Sequence, residues 1–129
     1  MRKLLFVCLT CAAVLGLFAL PAVYAVDAPE DMMVTVPEGA EKTQAPVGFS
    51  HKRPGHAEYD CQTCHHTWDG QGEIKSCSAE GCHTDMKARK GGGSFYAAFH
   101  DRKNEASCVG CHSKEGKGPK ICTECHPRD

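Results

Sequence analysis

Leucine is absent from the chain after residue 25, because all six leucines lie between residues 4 and 20. Valine, isoleucine and phenylalanine together supply only ten of the 104 residues that follow. This share is well below the roughly 20% under which a chain is unable to build a packed core. A domain of about 100 residues is already marginal, since it buries a small share of its surface. Disulfides, metals or a large cofactor must therefore supply the missing apolar mass.

Long apolar runs are also absent after residue 25, so no segment there is predicted to span a membrane. The first 25 residues differ, because a basic start is followed by an apolar run from Leu4 to Leu20 and a small-residue ending at Ala25. This pattern predicts a signal peptide that is cleaved after Ala25. Cys8 and Cys11 come too early in the run for a lipoprotein anchor. We therefore expect an exported protein of the periplasm.

Excess positive charge is missing as well. All 16 acidic residues but only 13 of the 15 lysines and arginines follow residue 25, which argues against a nucleic-acid partner. Residues 26–46 are acidic and contain three prolines, so they are predicted to form an extended arm with a short strand at Met32 to Val36. Residues 47–129 form the domain that carries the chemistry.

This domain repeats one motif four times, in which a cysteine, a short gap and a second cysteine precede a histidine. The pattern is the signature of c-type haem attachment, where two thiols bind one porphyrin edge and the histidine binds the iron. The sequence therefore predicts four covalently attached haem c groups. The longer second motif requires a bulge, which Gly81 eases. The motifs are Cys61-Gln-Thr-Cys64-His65, Cys77-Ser-Ala-Glu-Gly-Cys82-His83, Cys108-Val-Gly-Cys111-His112 and Cys122-Thr-Glu-Cys125-His126.

Zinc sites and disulfides are the alternative uses of paired cysteines in an exported protein. Neither explains the histidines, because a zinc site does not need a histidine directly after its second cysteine and a disulfide needs none. Haem attachment accounts for both residue types in all four motifs.

The eight histidines divide evenly between the motifs and the rest of the chain. Four motif histidines are the proximal ligands, and four others are available for the sixth positions, which predicts two histidines on every iron. His66 follows His65 directly and cannot reach the opposite face of the same iron, so it should bind a neighbouring haem. Met86 is the alternative axial ligand near a motif. The four other histidines are His51, His56, His66 and His100.

Two helices are predicted between the motifs. Ser94 is a candidate N-cap for a helix that runs to about Asn104, with Phe95 and Phe99 on one face. A second short helix is predicted around Ala79 to Lys90. Glycine-rich stretches between the motifs predict loops.

The pattern resembles the tetrahaem cytochrome c3 family of sulfate-reducing bacteria over about Val47 to His126. The resemblance rests on Phe49-Ser50-His51, the doubled histidine after Cys64, the long second motif, Phe99-His100 and the third motif. It implies a small class III c-type multihaem cytochrome, with few short α-helices, much loop and little strand packed around four haems. It also implies sixth ligands in a fixed order, from the first haem to the fourth: His51, His66, His56 and His100.

Two features depart from the family pattern. The early histidines His51 and His56 are five residues apart across Pro54-Gly55, so the local path must differ, because proline disfavours helical geometry at the preceding residue. The fourth motif is short and the mature chain is acidic, which resembles the type II branch associated with membrane redox complexes.

The predicted function is low-potential electron transfer in sulfate respiration, without catalysis. The resemblance suggests a periplasmic hydrogenase or a basic type I cytochrome c3 as the electron donor and a transmembrane redox complex as the acceptor. The alternative is a multihaem reductase with one open five-coordinate haem, which would require one of the four other histidines, most readily His56, to be unligated.

Overall fold

The computed structural model describes residues 27–128, and these residues form mostly turns and loops. Their regular elements are two short strands, one turn of 3₁₀ helix and three short helices. The predicted fold class is therefore confirmed. The predicted signal peptide, residues 1–25, lies outside the described residues. In chain order the elements are β1 (Asp31–Val34), β2 (Val47–Ser50), the 3₁₀ turn (Cys61–Thr63), α1 (Phe95–His100), α2 (Cys108–Glu115) and α3 (Cys122–Cys125).

The N-terminal arm folds back on the chain. Strand β1 pairs antiparallel with β2, so that Asp31 lies opposite Ser50 and Val34 opposite Val47. The predicted strand is confirmed, although it begins one residue earlier and ends two residues earlier than expected. The turn after it is closed by a hydrogen bond from the Ala40 N–H to the Pro37 carbonyl, 3.1 Å. No helix within residues 27–128 is long and apolar enough to cross a bilayer.

Helix α1 confirms Ser94 as an N-cap, because the Ser94 hydroxyl accepts a hydrogen bond from the Ala97 N–H at 3.0 Å. Phe95 and Phe99 meet edge to face with their ring centroids 5.1 Å apart. The helix ends at His100 rather than near Asn104. The reason is local, since the Asp101 carboxylate accepts the Lys103 N–H at 3.0 Å and turns the chain away from the helix.

The predicted helix at Ala79 to Lys90 is wrong, because this segment forms turns. The Asp85 carboxylate accepts the N–H groups of Lys87 and Ala88, each at 2.9 Å. Gly81 has a positive φ of 81°, as the bulge in the second motif requires. An aspartate that binds nearby N–H groups offers the backbone an alternative to helix.

Helices α2 and α3 begin at the first cysteines of the third and fourth motifs, which the sequence analysis did not predict. Ser107 caps α2 by accepting the Gly110 N–H at 2.9 Å. Gly116, with a φ of 69°, ends the helix in the left-handed conformation. A serine directly before the motif and a glycine nine residues after that serine were the available signals.

Side-chain packing supplies almost no core. Within residues 27–128 only four residues are buried, and all are small. Helix α1 packs on α2, and the Ser107 hydroxyl links the start of α2 to the end of α1 by donating to the Asp101 carbonyl at 2.7 Å. The shortage of apolar mass expected from the sequence is therefore present in the fold. The four residues are Ser94, Ala97, Ser107 and Gly110.

Candidate haem sites

The eight cysteines of the described chain are not joined in disulfides. Within residues 27–128 no group of three or more histidine, cysteine, aspartate or glutamate side chains is arranged to hold a metal ion.

In three cysteine motifs of different lengths, the backbone N–H of the motif histidine donates to the carbonyl of the first cysteine. In the first motif the His65 N–H donates to the Cys61 carbonyl at 2.9 Å, and in the fourth the His126 N–H donates to the Cys122 carbonyl at 2.8 Å. The longer second motif makes the same bond from His83 to Cys77, at 2.9 Å. Its two additional residues are therefore accommodated without changing the relation between the first cysteine and the histidine.

Thiols of different motifs lie within electrostatic reach of one another. Desolvation, with smaller contributions from the charges of Cys64 and Cys125, raises the pKa of the Cys108 thiol to about 11. Part of Cys108 nevertheless remains exposed to solvent. Desolvation likewise raises the pKa of Cys64, with smaller contributions from Cys111 and Cys77. The motifs therefore converge on one small region.

Three motif histidines face three of the other histidines. The rings of His56 and His112 have their centroids 6.1 Å apart and are nearly parallel, with 6° between their planes. The rings of His100 and His126 are 6.2 Å apart with 14° between planes.

The third pair joins His66 to His83, at 5.8 Å and 52°. Two metal–nitrogen bonds of about 2 Å, together with the distances from each nitrogen to its ring centre, give a separation of about 6 Å. These pairs therefore have the spacing that one metal between two imidazoles requires.

The remaining two histidines, His51 and His65, are neighbours in a less regular arrangement. Burial lowers the pKa of His65, and the charges of His51 and then His66 lower it further. His65 takes part in no close ring pair among residues 27–128.

Six of the eight histidines use Nδ1 in a hydrogen bond to a backbone carbonyl. A carbonyl oxygen only accepts, so each Nδ1 carries the proton and each Nε2 keeps a lone pair free for a metal. Such partners orient a histidine ligand and increase its basicity. The pairs are His51 with Pro29 (2.7 Å), His56 with Ser50 (2.9 Å), His83 with Gly92 (2.6 Å), His100 with Tyr96 (2.9 Å), His112 with Pro119 (2.7 Å) and His126 with Ala45 (2.6 Å).

Phe49 holds the two early histidines, which the sequence analysis did not predict. Its ring stacks on His56 with centroids 4.9 Å apart and meets His51 edge-on at the same distance. Between them the chain turns through Gly55, whose φ is 93°, and the His56 N–H donates to the Arg53 carbonyl at 2.9 Å. The changed spacing of these histidines is therefore accommodated by a turn.

Gly118 lies directly against the His112 ring. A methyl group at this position would lie 2.8 Å from Cδ2 of His112, and the φ of Gly118 is 77°. The next residue, Pro119, provides the carbonyl that accepts the His112 Nδ1–H. Met86, the alternative ligand near the second motif, is 40% exposed, and the ring that faces His83 belongs to His66.

Comparisons with known proteins identify the family of this chain. Residues 29–126 match the class III cytochrome c family. The chain is 60% identical over 104 residues to a cytochrome c3 of Desulfovibrio desulfuricans, covering 81% of this chain and 100% of that protein. It is 55% identical over 107 residues to a cytochrome c3 of Maridesulfovibrio salexigens, covering 80% and 98%.

Among solved structures, the di-tetraheme cytochrome c3 from Desulfovibrio gigas superposes with a TM-score of 0.70 at 33% identity, covering 80% of this chain and 100% of that one. The chain belongs to the class III cytochrome c family. It is therefore a multihaem electron-transfer cytochrome with covalently bound haem c, and the resemblance seen in the sequence is confirmed.

Proposed function

We propose that this chain is a periplasmic, low-potential electron carrier that holds four haem c groups, each with two histidine ligands. The observation that carries the proposal is the set of three imidazole pairs with centroids 5.8–6.2 Å apart. In each pair one ring follows a cysteine motif and the other comes from elsewhere in the chain. Haem iron, when bound, supplies the one-electron redox chemistry.

The axial ligand assignment follows from these pairs and from the neighbours of His65. His66 serves the second motif, His56 the third and His100 the fourth, which leaves His51 for the first. The Nδ1 hydrogen bond of His51 to Pro29 supports this role, because it leaves Nε2 for the iron. The assignment accounts for all eight histidines and has the order that the family resemblance implies.

The eight cysteines supply the covalent attachment, two to each haem. Cys61 and Cys64 hold the first group, Cys77 and Cys82 the second. In the same way, the third and fourth groups are attached by the two remaining pairs, which are Cys108 with Cys111 and Cys122 with Cys125.

Two histidines on each iron give the protein its character as a carrier. Two imidazole nitrogens without an axial methionine favour the oxidised iron and so a low potential. A filled sixth position leaves no room for a substrate at the metal. Electrons therefore enter and leave through the haem edges and the protein surface, without bond making at iron.

The location and partners follow from the sequence and from the relatives. The signal-peptide pattern of residues 1–25 supports export to the periplasm. A periplasmic hydrogenase or a basic type I cytochrome c3 would donate electrons, and a transmembrane redox complex would accept them in sulfate respiration. The acidic excess after residue 25 supports a basic donor and supports the type II branch.

A multihaem reductase is the second candidate, and its open iron would sit at the first motif. His65 is the one motif histidine that takes part in no close ring pair within residues 27–128. The sequence analysis favoured His56 as the unligated histidine of a reductase. In the structure the His56 ring pairs with that of His112.

Absorption spectroscopy with a haem-to-protein ratio tests the proposal and separates the two candidates. Protein purified from the periplasm should contain four haems per chain, show low-spin bands in both oxidation states and keep its reduced spectrum when carbon monoxide is added. A carbon monoxide shift in wild-type protein would overturn the closed carrier and favour the reductase. A ratio other than four would contradict the haem count.

A further inference from the structure

Tyr96 and Arg89 form a stack on the His100 ring. The Tyr96 ring lies parallel to the His100 ring, with centroids 4.2 Å apart and 10° between planes. The Arg89 guanidinium carbon lies 4.4 Å from the centroid of the Tyr96 ring. The centroid of the His126 ring lies 6.2 Å from that of His100. The Arg89 guanidinium is therefore connected to the fourth haem site through two stacked rings.

The main chain fixes this stack at both ends. The Tyr96 carbonyl accepts the His100 Nδ1–H at 2.9 Å, so the residue holds the ligand ring by its backbone as well as by its side chain. The Ser94 hydroxyl donates to the Ala88 carbonyl at 2.6 Å and ties the segment before Arg89 to the start of α1. Arg89 is exposed, yet it is held over a ring in the geometry of a cation–π contact.

We propose that Arg89, held by Tyr96, is a positioning residue that raises the reduction potential of the fourth haem above the value its two histidines alone would give. The inference rests on the proposed ligation of that haem by His100 and His126. Uptake of one electron removes one positive charge from the iron. A fixed positive charge nearby therefore stabilises the reduced form.

Distance and dielectric decide how large the effect is. The stacked contacts place the guanidinium within about 12 Å of the midpoint between the two ligand rings. At that distance a unit charge changes an equilibrium ratio roughly twofold at an effective dielectric constant of about 80, and roughly tenfold at about 20. Lys87 and Lys90 flank Arg89 and have the same sign, whereas Asp85 opposes them. Arg89 differs from these charges because an aromatic ring holds it in one place.

The test is the oxidised-to-reduced ratio of each haem at a fixed solution potential, followed by the haem methyl signals in NMR spectra of partly reduced protein. In Arg89→Gln the ratio for the fourth haem should rise about twofold to tenfold, and the other three haems should change less. Arg89→Lys keeps the charge and should return the ratio toward the wild-type value. Tyr96→Phe keeps the ring and should leave the ratio unchanged.

Arg53→Gln is the matched control, because it removes the same charge from an exposed arginine on the turn between His51 and His56. It should leave the ratio of the fourth haem unchanged. No shift in Arg89→Gln, or an equal shift in Arg53→Gln, would overturn the inference. The haem count and the carbon monoxide test of wild-type protein are measured first. If they contradict the proposed ligation, that proposal fails; if they support it, the variants then test the role of Arg89 alone.

Discussion

A histidine ring has two nitrogens, and six of the eight rings in this chain use one of them on the backbone. The carbonyls of Pro29 and Ala45 come from the arm, whereas that of Gly92 comes from the loop before α1. A backbone carbonyl cannot be removed by ordinary substitution, so these ligand orientations are insensitive to the side chains of the accepting residues. The site therefore depends on the path of loops that carry no recognisable motif.

Replacing a single distal histidine should open a single iron. In His56→Ala the third haem loses its sixth ligand, so about one quarter of the haem should become high-spin and bind carbon monoxide when reduced. Absorption spectra with and without carbon monoxide measure this fraction. Lys52→Gln, four residues earlier on the same turn, is the control and should remain low-spin. A carbon monoxide-silent His56→Ala protein would show that His56 is not an iron ligand.

Substitutions at two glycines near the third haem distinguish the effect of backbone strain from the effect of contact with a ligand ring. Gly116 and Gly118 both have a positive φ, 69° and 77°, but only at Gly118 would a methyl group meet the His112 ring. Alanine at either position should cost about 1–2 kcal/mol of stability, because a side chain disfavours the left-handed conformation. Gly118→Ala alone should also shift the NMR signals of the third haem.

Thermal unfolding and haem methyl NMR of both variants check this prediction. Equal NMR spectra for Gly116→Ala and Gly118→Ala would contradict the contact between Gly118 and His112.

For single residues, the sequence predicted which side chains form the sites better than it predicted which groups each of them contacts. The cysteines and motif histidines follow from a covalent rule that holds whatever the fold. The partner of each distal histidine depends on which loops meet in space, and a ligand count leaves that open. Nothing in the sequence indicated that Phe49 would contact both His51 and His56, because that contact follows from the turn at Gly55.

Short elements end in this protein where a polar side chain competes with the helix for backbone groups. Asp101 stops α1 before Asn104, and Asp85 prevents a helix across residues 79–90. In both places the hydrogen bonds of the aspartate side chain compete with those of a helix. Capping signals were the more reliable guide, since Ser94 predicted the start of α1 and Ser107 could have predicted the start of α2.

The cap of α2 should be worth more than an ordinary surface cap. Ser107 is buried, accepts the Gly110 N–H at 2.9 Å and donates to the Asp101 carbonyl at 2.7 Å. Ser107→Ala should therefore lower the free energy of unfolding by about 1–2 kcal/mol.

Ser113 provides the matched control on the same helix, because its buried hydroxyl has no hydrogen-bond partner within residues 27–128. Ser113→Ala should leave stability unchanged or slightly raised. Denaturant unfolding of the two holoproteins measures the difference. Equal losses would show that the Ser107 hydrogen bonds contribute nothing specific.

The junction of α1 and α2 leaves no space for a side chain at Gly110. A methyl group there would overlap the Asn104 carbonyl oxygen and lie 2.7 Å from that of Asp101. Gly110→Ala should lower stability by about 3 kcal/mol or more, since backbone atoms cannot move aside as flexible side chains do.

Gly93→Ala is the control, because open space surrounds that position. The yield of four-haem protein and its thermal midpoint measure both variants. A Gly110→Ala protein with the wild-type midpoint would contradict the close packing of α1 on α2.

The whole molecule has the size of a domain but almost no core of buried side chains. Only four small residues are buried within the described part, although the chain folds back on itself from β1 to α3. The shortage of leucine, valine and isoleucine predicted this state from composition alone. What composition could not predict is the arrangement of the loops, because it is set by contacts among histidines, glycines and carbonyls far apart in the sequence.

Protein produced without haem should therefore have no cooperative fold. Circular dichroism of chain made in cells that lack haem attachment should show a disordered spectrum and no thermal transition, as for small metal domains without their metal. The holoprotein, measured beside it, should unfold in a single transition. A cooperative transition in the haem-free chain would show that the polypeptide supplies a core of its own.

The bond from the His126 Nδ1–H to the Ala45 carbonyl spans 81 residues, and it affects the order of assembly. Because the haem-free chain is expected to have no cooperative fold, this bond should close only after the haems are attached. The contact between the arm and the last motif histidine is therefore a marker of completed maturation, which joins the two ends of the described chain.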